Sequence, residues 1–142
     1  MRINELLKGK PQGVITIGPD ATVRELLALL AEHNVGALIV STDGSAVTGI
    51  VSERDVVRSL HRDPAALESP VSAIMTSSVH TCEPTASVDE LMVLMTEHRF
   101  RHVPVVSEGR LTGIISIGDV VKSRMAELVF ERDQLDSYVH QT

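Results

Sequence analysis

The sequence contains few aromatic residues and a single cysteine. Aromatic side chains make up 2% of its 142 residues, with two Phe, one Tyr and no Trp. A core must therefore be built from Val, Ile, Leu, Ala and Met, and aromatic platforms that stack single-stranded nucleic acid are not expected. Because Cys82 is the only cysteine in the sequence, an internal disulfide and a metal site made of several cysteines are excluded.

The chain also lacks an excess of basic residues and a long apolar run. Its formal net charge is -6, which leaves no broad basic surface for a nucleic-acid backbone, although one pocket can still hold a small anion. No stretch approaches the roughly 20 apolar residues that cross a bilayer, and the first ten residues do not form the apolar run of a signal peptide. We therefore expect a cytoplasmic globular protein that binds neither nucleic acid nor a membrane.

The sequence repeats itself. Residues 14–44 match residues 79–109 with 12 identities in 31 positions, and residues 48–57 match residues 112–121 with 7 identities in 10. Thr, Gly, Ile, Ser, Asp and two Val recur at matched places in the second of these blocks. Agreement of this extent in so short a chain indicates two copies of one structural unit.

Each copy predicts a β-α-β-β-α unit. A short β-rich segment at 14–17 or 79–82 precedes a proline. A capping box, with a hydroxyl followed three residues later by a glutamate, then begins a helix at Thr22–Glu25 in one copy and Ser87–Glu90 in the other. Apolar residues at helical spacing follow, and the helices are expected to end near residues 33 and 98.

Two strands and a second helix complete each unit. The strands are predicted at 37–40 and 47–52 in the first copy, and at 103–106 and 111–116 in the second. Ser52 and Ser116 end the second strand of each copy and are expected to cap the second helix. The predicted parts of the chain are a lead-in helix (1–13), the first repeat (14–62), a linker with a short helix (63–76, the helix at 71–76), the second repeat (77–124) and a C-terminal helix extension (125–142).

The tail of the chain differs from the repeats. From Asp119 to about Val139 it contains no Gly or Pro. Its apolar residues recur on one seam of a helix at Val121, Met125, Leu128, Leu135 and Val139. This seam predicts a long helix that packs against a second copy of the chain, and the alternative is that the helix folds back on its own domain.

The repeated block resembles the CBS domain family (cystathionine β-synthase domains). The family signature is a Gly, two apolar residues, Ser or Thr, two further residues and then Asp, as at 49–55 and 113–119. The segment Arg101-His102-Val103-Pro104-Val105-Val106 is also typical of the family. The resemblance covers residues 10–125, and the two copies resemble a tandem CBS pair, or Bateman module, such as the small stand-alone bacterial proteins that consist only of one pair.

This resemblance implies both a fold and a function. The fold is α/β (α+β), with two pseudo-twofold-related β-α-β-β-α repeats packed through their sheets and a long C-terminal helix. Two clefts between the repeats would bind adenosine compounds, of the class of AMP, ADP, ATP, NAD or S-adenosylmethionine. The implied protein is a regulatory homodimer without enzymatic activity or a catalytic cofactor, whose output acts through the dimer or on an unknown effector protein in trans.

The resemblance also assigns ligand-binding roles to individual residues. Asp55 and Asp119 match the aspartate that accepts hydrogen bonds from both ribose hydroxyls, a task that suits an acceptor-only carboxylate. We call the clefts headed by these two residues the first cleft and the second cleft. Ser52 and Ser116 match the hydroxyl that contacts ribose or phosphate beside the amides of a helix N-terminus.

The other candidates lie on the strands and at the start of the second helices. Arg101 and His102 match phosphate-binding side chains of the first cleft, and Arg54 has the equivalent role in the second cleft. Because Gly118, the counterpart of Arg54, is uncharged, the two clefts are expected to be unequal. The strand positions that flank the adenine, together with the neighbouring proline, are Thr16, Ile17, Gly36, Ala37, Thr81, Cys82, His102, Val103 and Pro104.

Each functional interpretation has a structural alternative. A Ser-x-x-Asp pair at a helix start can be a simple cap, and Arg54 can be a solvated partner of Glu53 or Asp55. The clefts can be vestigial or filled by side chains, in which case the chain is a structural interaction protein. Cys82 is expected to be a small core residue near a cleft, with redox sensitivity as the alternative.

A metal site and an enzyme are the remaining alternatives. His98 and His102 are four residues apart, a spacing that could hold a metal on a helix, but the strand predicted at His102 breaks that geometry. No nucleophile elbow, phosphate loop or dinucleotide fingerprint occurs in the sequence. We therefore expect neither a metal nor a catalytic residue, and a nucleotide-processing enzyme is a less favoured alternative than a structural interaction protein.

Overall fold

The structure is a computed structural model, which describes residues 1–10 and 13–140. Short sheets and helices alternate along the chain, as the repeat predicts. In chain order the elements are α1 (Ile3–Lys8), β1 (Thr16–Ile17), α2 (Val23–His33), β2 (Ala37–Val40), β3 (Gly49–Ser52), α3 (Glu53–Arg62), two 3-10 helices (Pro64–Glu68 and Val71–Ala73), α4 (Val88–His98), β4 (His102–Ser107), β5 (Arg110–Ser116) and α5 (Ile117–His140).

The first repeat forms a three-stranded sheet in the order β1-β2-β3. β1 runs parallel to β2, and β2 pairs antiparallel with β3. All four residues of β2 are buried, which agrees with its continuous apolar sequence. The predicted capping box at the start of α2 is formed, since Thr22 Oγ1 accepts from Glu25 N at 3.1 Å and Glu25 Oε2 accepts from Thr22 N at 3.2 Å.

The second repeat differs from the first in its sheet. β4 and β5 pair antiparallel, but the strand predicted at 79–82 is reduced to an isolated parallel bridge between Cys82 and Val105. Residues 80 and 81 are exposed, so they contribute no buried side chain that would hold a longer strand. The helix ends are as predicted, at His33 and His98.

The N-terminal helix α1 belongs to the core of the second repeat. Ile3 is fully buried there, and its amide donates to the carbonyl of Ala86 at 2.9 Å. A Cβ atom on Gly113 would lie 2.5 Å from Cδ2 of Leu7, so the glycine lets α1 pack closely on β5 without displacing this side chain. Each repeat thus has its own apolar core, and α1 closes the second one.

The linker between the repeats occupies the equivalent place in the first repeat. Thr76 exchanges two backbone hydrogen bonds with Ile50 in β3, at 2.9 and 3.0 Å. The short helix predicted at 71–76 is a 3-10 helix over Val71–Ala73, preceded by a second one, Pro64–Glu68, that the sequence did not indicate. The segments that precede the two repeats therefore both pack against a matching strand, the linker against β3 and α1 against β5.

The C-terminal helix is continuous from Ile117 to His140. The domain limit that we drew between residues 124 and 125 therefore falls inside one helix. The five residues of its predicted seam are all exposed on the protomer, between 49% for Val121 and Leu128 and 65% for Leu135. Among the described residues, no helix has the length and apolarity that a membrane span requires.

Candidate functional site

The two candidate aspartates occupy equivalent positions at the starts of α3 and α5. Asp55 Oδ2 accepts hydrogen bonds from the backbone N of Ser52 at 2.8 Å and from its Oγ at 3.1 Å. Asp119 Oδ2 accepts from the backbone N of Ser116 at 2.8 Å, and Ser116 Oγ accepts from Asp119 N at 3.2 Å. The serines thus cap their helices as expected, and each cap fixes the direction of its carboxylate.

The strand candidates lie beside these caps in both repeats. Ala37 is paired with Ser52 in the first sheet, and His102 is paired with Ser116 in the second. Gly36 directly precedes β2, and its carbonyl accepts from Glu53 N at the start of α3, at 3.0 Å. Arg101 directly precedes β4, and its carbonyl accepts from Ile117 N at the start of α5, at 2.8 Å. Each aspartate is thus surrounded by candidates of its own repeat. Arg101 and His102 lie beside Ser116 in the second repeat, although we assigned them to the first cleft. Val103 and Pro104 continue β4 as buried residues.

The first-strand candidates are placed further along the same sheets. Thr16 is in register with Ile39, and Ile17 is buried next to Val40. In the second repeat Cys82 takes the corresponding place, donating its amide to Pro104 O at 3.0 Å and accepting from Val106 N at 2.9 Å. Thr81 precedes it and is exposed.

One charged residue distinguishes the two clusters, and sequence reasoning missed it. Lys10 Nζ donates to Asp119 Oδ2 at 2.7 Å and to the carbonyl of Ile114 at 2.7 Å. The Lys10 and Asp119 side chains are only 28% and 24% exposed. Asp55 forms no ion pair with any residue among 1–10 and 13–140. Lys10 is therefore a second reason, beside Arg54 and Gly118, to expect unequal clefts.

Repeat alignment could have indicated this difference but not the contact. At the 65-residue offset, Lys10 corresponds to Met75, so a lysine and a methionine occupy matched places before the two repeats. Met75 packs against the apolar core of the first repeat. The contact itself joins residues 109 positions apart, and no local sequence pattern encodes it.

Electrostatic surroundings shift the pKa values of two candidates. Burial alone would raise the pKa of Asp119, but the hydrogen bonds from Lys10 and Ser116 outweigh it and lower this pKa below its ordinary value. Burial lowers the pKa of His102, and the positive charge of Lys10 lowers it further. The nearby carboxylates of Asp119 and Glu53 raise this pKa but do not compensate the two lowering effects. Burial and Lys10 therefore both disfavour the protonated form of the His102 ring in the protein without ligand.

Two hollows lie against the Lys10 side chain. A groove of about 490 Å³ between α1 and α5 is lined by Asp119 and Lys122 and by apolar side chains that include Leu6 and Phe130. A smaller hollow of about 280 Å³ lies between residues 13–14 and residues 112–114. Lys10 lines both hollows, and Asp119 lines the larger one.

The arginine candidates face solvent. Arg54 and Arg101 are exposed, and within the described part of the chain Arg54 forms no ion pair with Glu53 or Asp55. Among residues 1–10 and 13–140, neither guanidinium group has an ion-pair partner that a phosphate would have to displace.

His98 and His102, the two histidines that the sequence raised as a metal pair, lie on different elements. His98 ends α4 and stacks on His80 and Phe100, with ring centroids 4.9 and 5.3 Å away, while His102 begins β4. Residues 1–10 and 13–140 contain no cluster of three potential metal ligands. Cys82 is half-buried against the second core, and burial raises its pKa to about 11.

The fold and the matched serine–aspartate pairs define a tandem-repeat α/β protein. The sequence profile of the CBS domain matches residues 12–62 and 71–126. The chain therefore belongs to the CBS domain family and contains two CBS domains.

Proteins of known structure have the same architecture. The chain is similar to a CBS-domain containing protein of Agrobacterium tumefaciens, with 44% identity, 87% of this chain and 99% of that chain covered, and a TM-score of 0.83. It is also similar to a CBS domain protein of Pyrobaculum aerophilum in complex with AMP, with 34% identity, 84% and 89% coverage and a TM-score of 0.74. Among curated proteins it is 30% identical to a CBS domain-containing protein of Bacillus subtilis, with 80% of each chain covered.

Proposed function

We propose that this protein is a non-enzymatic sensor of adenosine compounds, of the class of AMP, ADP, ATP, NAD and S-adenosylmethionine. The observation that carries the proposal is the pair of equivalent carboxylates at the starts of α3 and α5. Each is held in place by the serine three residues earlier. A fixed, acceptor-only carboxylate suits a vicinal diol, because it can accept a hydrogen bond from each hydroxyl.

The basic and amide groups around these carboxylates support an anionic ligand. The N-terminus of each helix offers backbone N–H groups and a positive dipole end next to the carboxylate. Arg54, Arg101 and His102 lie at or next to the same helix and strand ends. The AMP complex of the 34% identical Pyrobaculum aerophilum protein also supports an adenosine ligand for this chain.

Signalling would pass through the arrangement of the repeats or of two protomers. A ligand can shift that arrangement only by the difference in its affinity for the two states. Val57 in α3 and Val121 in α5 occupy equivalent repeat positions, and both are exposed, at 67% and 49%. Together with the exposed seam of α5, these matched apolar positions support a homodimer, and a partner protein in the cytoplasm would read the change.

A panel of adenosine compounds in a thermal unfolding experiment tests this function. A ligand at a hundred times its dissociation constant stabilises the folded state by about 2.7 kcal/mol. For a domain of this size that corresponds to a rise in Tm of roughly 5 to 10 °C. Mass spectrometry of small molecules that remain bound through native purification identifies the natural compound. A panel without any shift would instead favour a structural protein with vestigial clefts.

Aspartate variants test the site itself. Asp55→Ala and Asp119→Ala should each weaken binding in one cleft, and the double variant should lose the ligand-induced shift. Because both aspartates also cap helices, Glu25→Ala is the matched control. Glu25 accepts a hydrogen bond from the amide of Thr22 in the same type of capping box at the start of α2. The Glu25→Ala substitution therefore removes an equivalent cap from a helix that carries no candidate ligand residue.

Unchanged ligand affinity in the double aspartate variant would contradict the site assignment. Product formation from ATP or NAD would contradict the absence of catalysis.

A further inference from the structure

The second cleft contains an internal cation where a ligand hydroxyl is expected to bind. Lys10 Nζ contacts the same oxygen of Asp119 that is held by Ser116 N, at 2.7 and 2.8 Å. The ammonium group is held at a second point by the carbonyl of Ile114 at 2.7 Å. This part-buried, charge-assisted contact is stronger than an exposed ion pair, because less water screens it.

The position of Lys10 is fixed by the packing of α1. Leu7, three residues earlier, lies against Gly113, and the amides of Ile3 and Asn4 donate to the carbonyls of Ala86 and Pro84 at 2.9 Å. Lys10 follows α1 by two residues, so the docked helix places its side chain next to Asp119 in the folded second repeat. The position that matches Lys10 in the linker is Met75. Met75 packs against the first core and has no charge to offer Asp55.

We propose that Lys10 is a specificity-determining residue that makes the second cleft favour phosphorylated ligands over neutral nucleosides. This inference rests on the proposed function. A neutral nucleoside that uses Asp119 Oδ2 competes with the ammonium group for that oxygen, and displacing the ammonium group leaves Lys10 without its anionic partner. A nucleotide supplies a phosphate, which compensates the released lysine. The groove next to Asp119 also carries Lys122, which adds a second positive charge on that side.

A site-resolved titration tests this difference within one protein. The amides of Gly113 and Ser116 report on the second cleft, and those of Gly49 and Ser52 report on the first. The ligands are adenosine, which is neutral, and AMP, which adds one phosphate to the same diol and base. NMR titrations of the whole chain then yield an affinity ratio of AMP to adenosine for each cleft.

The substitution Lys10→Met gives the second cleft the methionine that stands at the matched position, Met75, beside the first core. At Gly113 and Ser116 we expect adenosine to bind about fivefold tighter and the ratio of AMP to adenosine affinity to fall about tenfold. At Gly49 and Ser52 both affinities should stay within twofold of the wild-type values. Lys10→Arg should preserve the wild-type preference. Lys8→Met, which removes a lysine that has no contact with Asp119, should also leave both ratios unchanged.

The possible outcomes separate this inference from the function on which it rests. An unchanged ratio at Gly113 and Ser116 in Lys10→Met, in a protein that binds AMP, would overturn the role of Lys10 alone. A similar fall in the ratio at Gly49 and Ser52 would also overturn it, because the effect would not be local. If neither ligand perturbs either pair of amides in the wild-type protein and no compound of the thermal unfolding panel raises Tm, the proposed function itself fails. If S-adenosylmethionine alone raises Tm, only the preference for phosphorylated ligands is overturned.

Discussion

Gly49 in β3 faces Met75 so closely that a Cβ atom at position 49 would lie 2.6 Å from the methionine sulfur. The same atom would lie 2.9 Å from the backbone carbonyl of Thr76, which is held by its hydrogen bond from Ile50. The matched Gly113 meets only the flexible end of a side chain, that of Leu7. The glycine that begins each signature block is therefore explained by the approach of the segment that leads into the other repeat.

This relationship predicts unequal costs for two matched substitutions. Gly49→Ala should lower the free energy of unfolding by about 2 to 3 kcal/mol, since a fixed backbone carbonyl must move, whereas Gly113→Ala should cost about 1 kcal/mol. Denaturant unfolding measures both values. Gly18→Ala is the control, because no atom lies within 4 Å of its added Cβ. Equal losses at positions 49 and 113 would contradict the explanation.

A double variant separates the contact of Gly113 from a general effect of alanine. Leu7→Ala should cost stability by itself, because Leu7 packs against the second core. Combined with Gly113→Ala, it should cost less than the sum of the two single changes, since the missing side chain leaves room for the new methyl group. Additive losses would indicate that the two residues do not compete for the same space.

The Lys10–Asp119 pair predicts a defined response to acid. The pKa of Asp119 is below its ordinary value of 3.8, so the unfolded chain takes up the proton first as the pH falls. The contribution of this carboxylate to stability is therefore complete above the ordinary pKa and is lost as the pH drops through the lowered value. The difference in Tm between wild type and Asp119→Asn should be largest near pH 6 and should shrink toward pH 3.

The control for the acid response is Asp20→Asn. Asp20 is exposed, and it forms no ion pair within residues 1–10 and 13–140. Its substitution should produce a small change in Tm that does not depend on pH. A pH-dependent difference of the same size for both variants would show that the Lys10 contact does not stabilise the charged form of Asp119.

The environment of Cys82 predicts a slowly reacting thiol. Burial raises its pKa from 9.0 to about 11, which lowers the population of the reactive thiolate about a hundredfold. Iodoacetamide at pH 8 should therefore label the native protein much more slowly than the urea-unfolded chain. Rapid labelling of the native protein would instead support the redox-sensitive alternative, since that function requires an accessible thiolate.

Local features of the fold could be predicted from the sequence because local contacts produce them. The capping hydroxyls of Thr22 and Ser87 mark helix starts within four residues of sequence, and α2 and α4 end where their apolar spacing ends. Asn34 and Arg99 then adopt the left-handed conformation that terminates each helix. The internal repeat shows each pattern twice, so the start and end of α2 and α4 could each be predicted from two matching segments.

The differences between the two copies depend on distant contacts. The third strand of the second sheet shrinks to Cys82 because tertiary packing, and not strand propensity, decides how much of a short edge strand forms. The contact of Lys10 with Asp119 depends on how α1 docks onto the second repeat. The sequence predicted a lead-in helix, but it carried no signal for the strand against which that helix packs.

The exposed seam of α5 leads to the last prediction, which concerns oligomeric state. Leu128 lies in the middle of the seam and is 49% exposed on the protomer. If the seam pairs with a second copy, Leu128→Glu should convert a dimer to a monomer in sedimentation velocity. Tm should then change little at a concentration where wild type is also monomeric. Gln134→Glu places the same charge on another side of the helix and should preserve the dimer. If the seam instead packs on its own domain in solution, Leu128→Glu should lower Tm without changing the mass, because the buried charge would then destabilise the protomer itself.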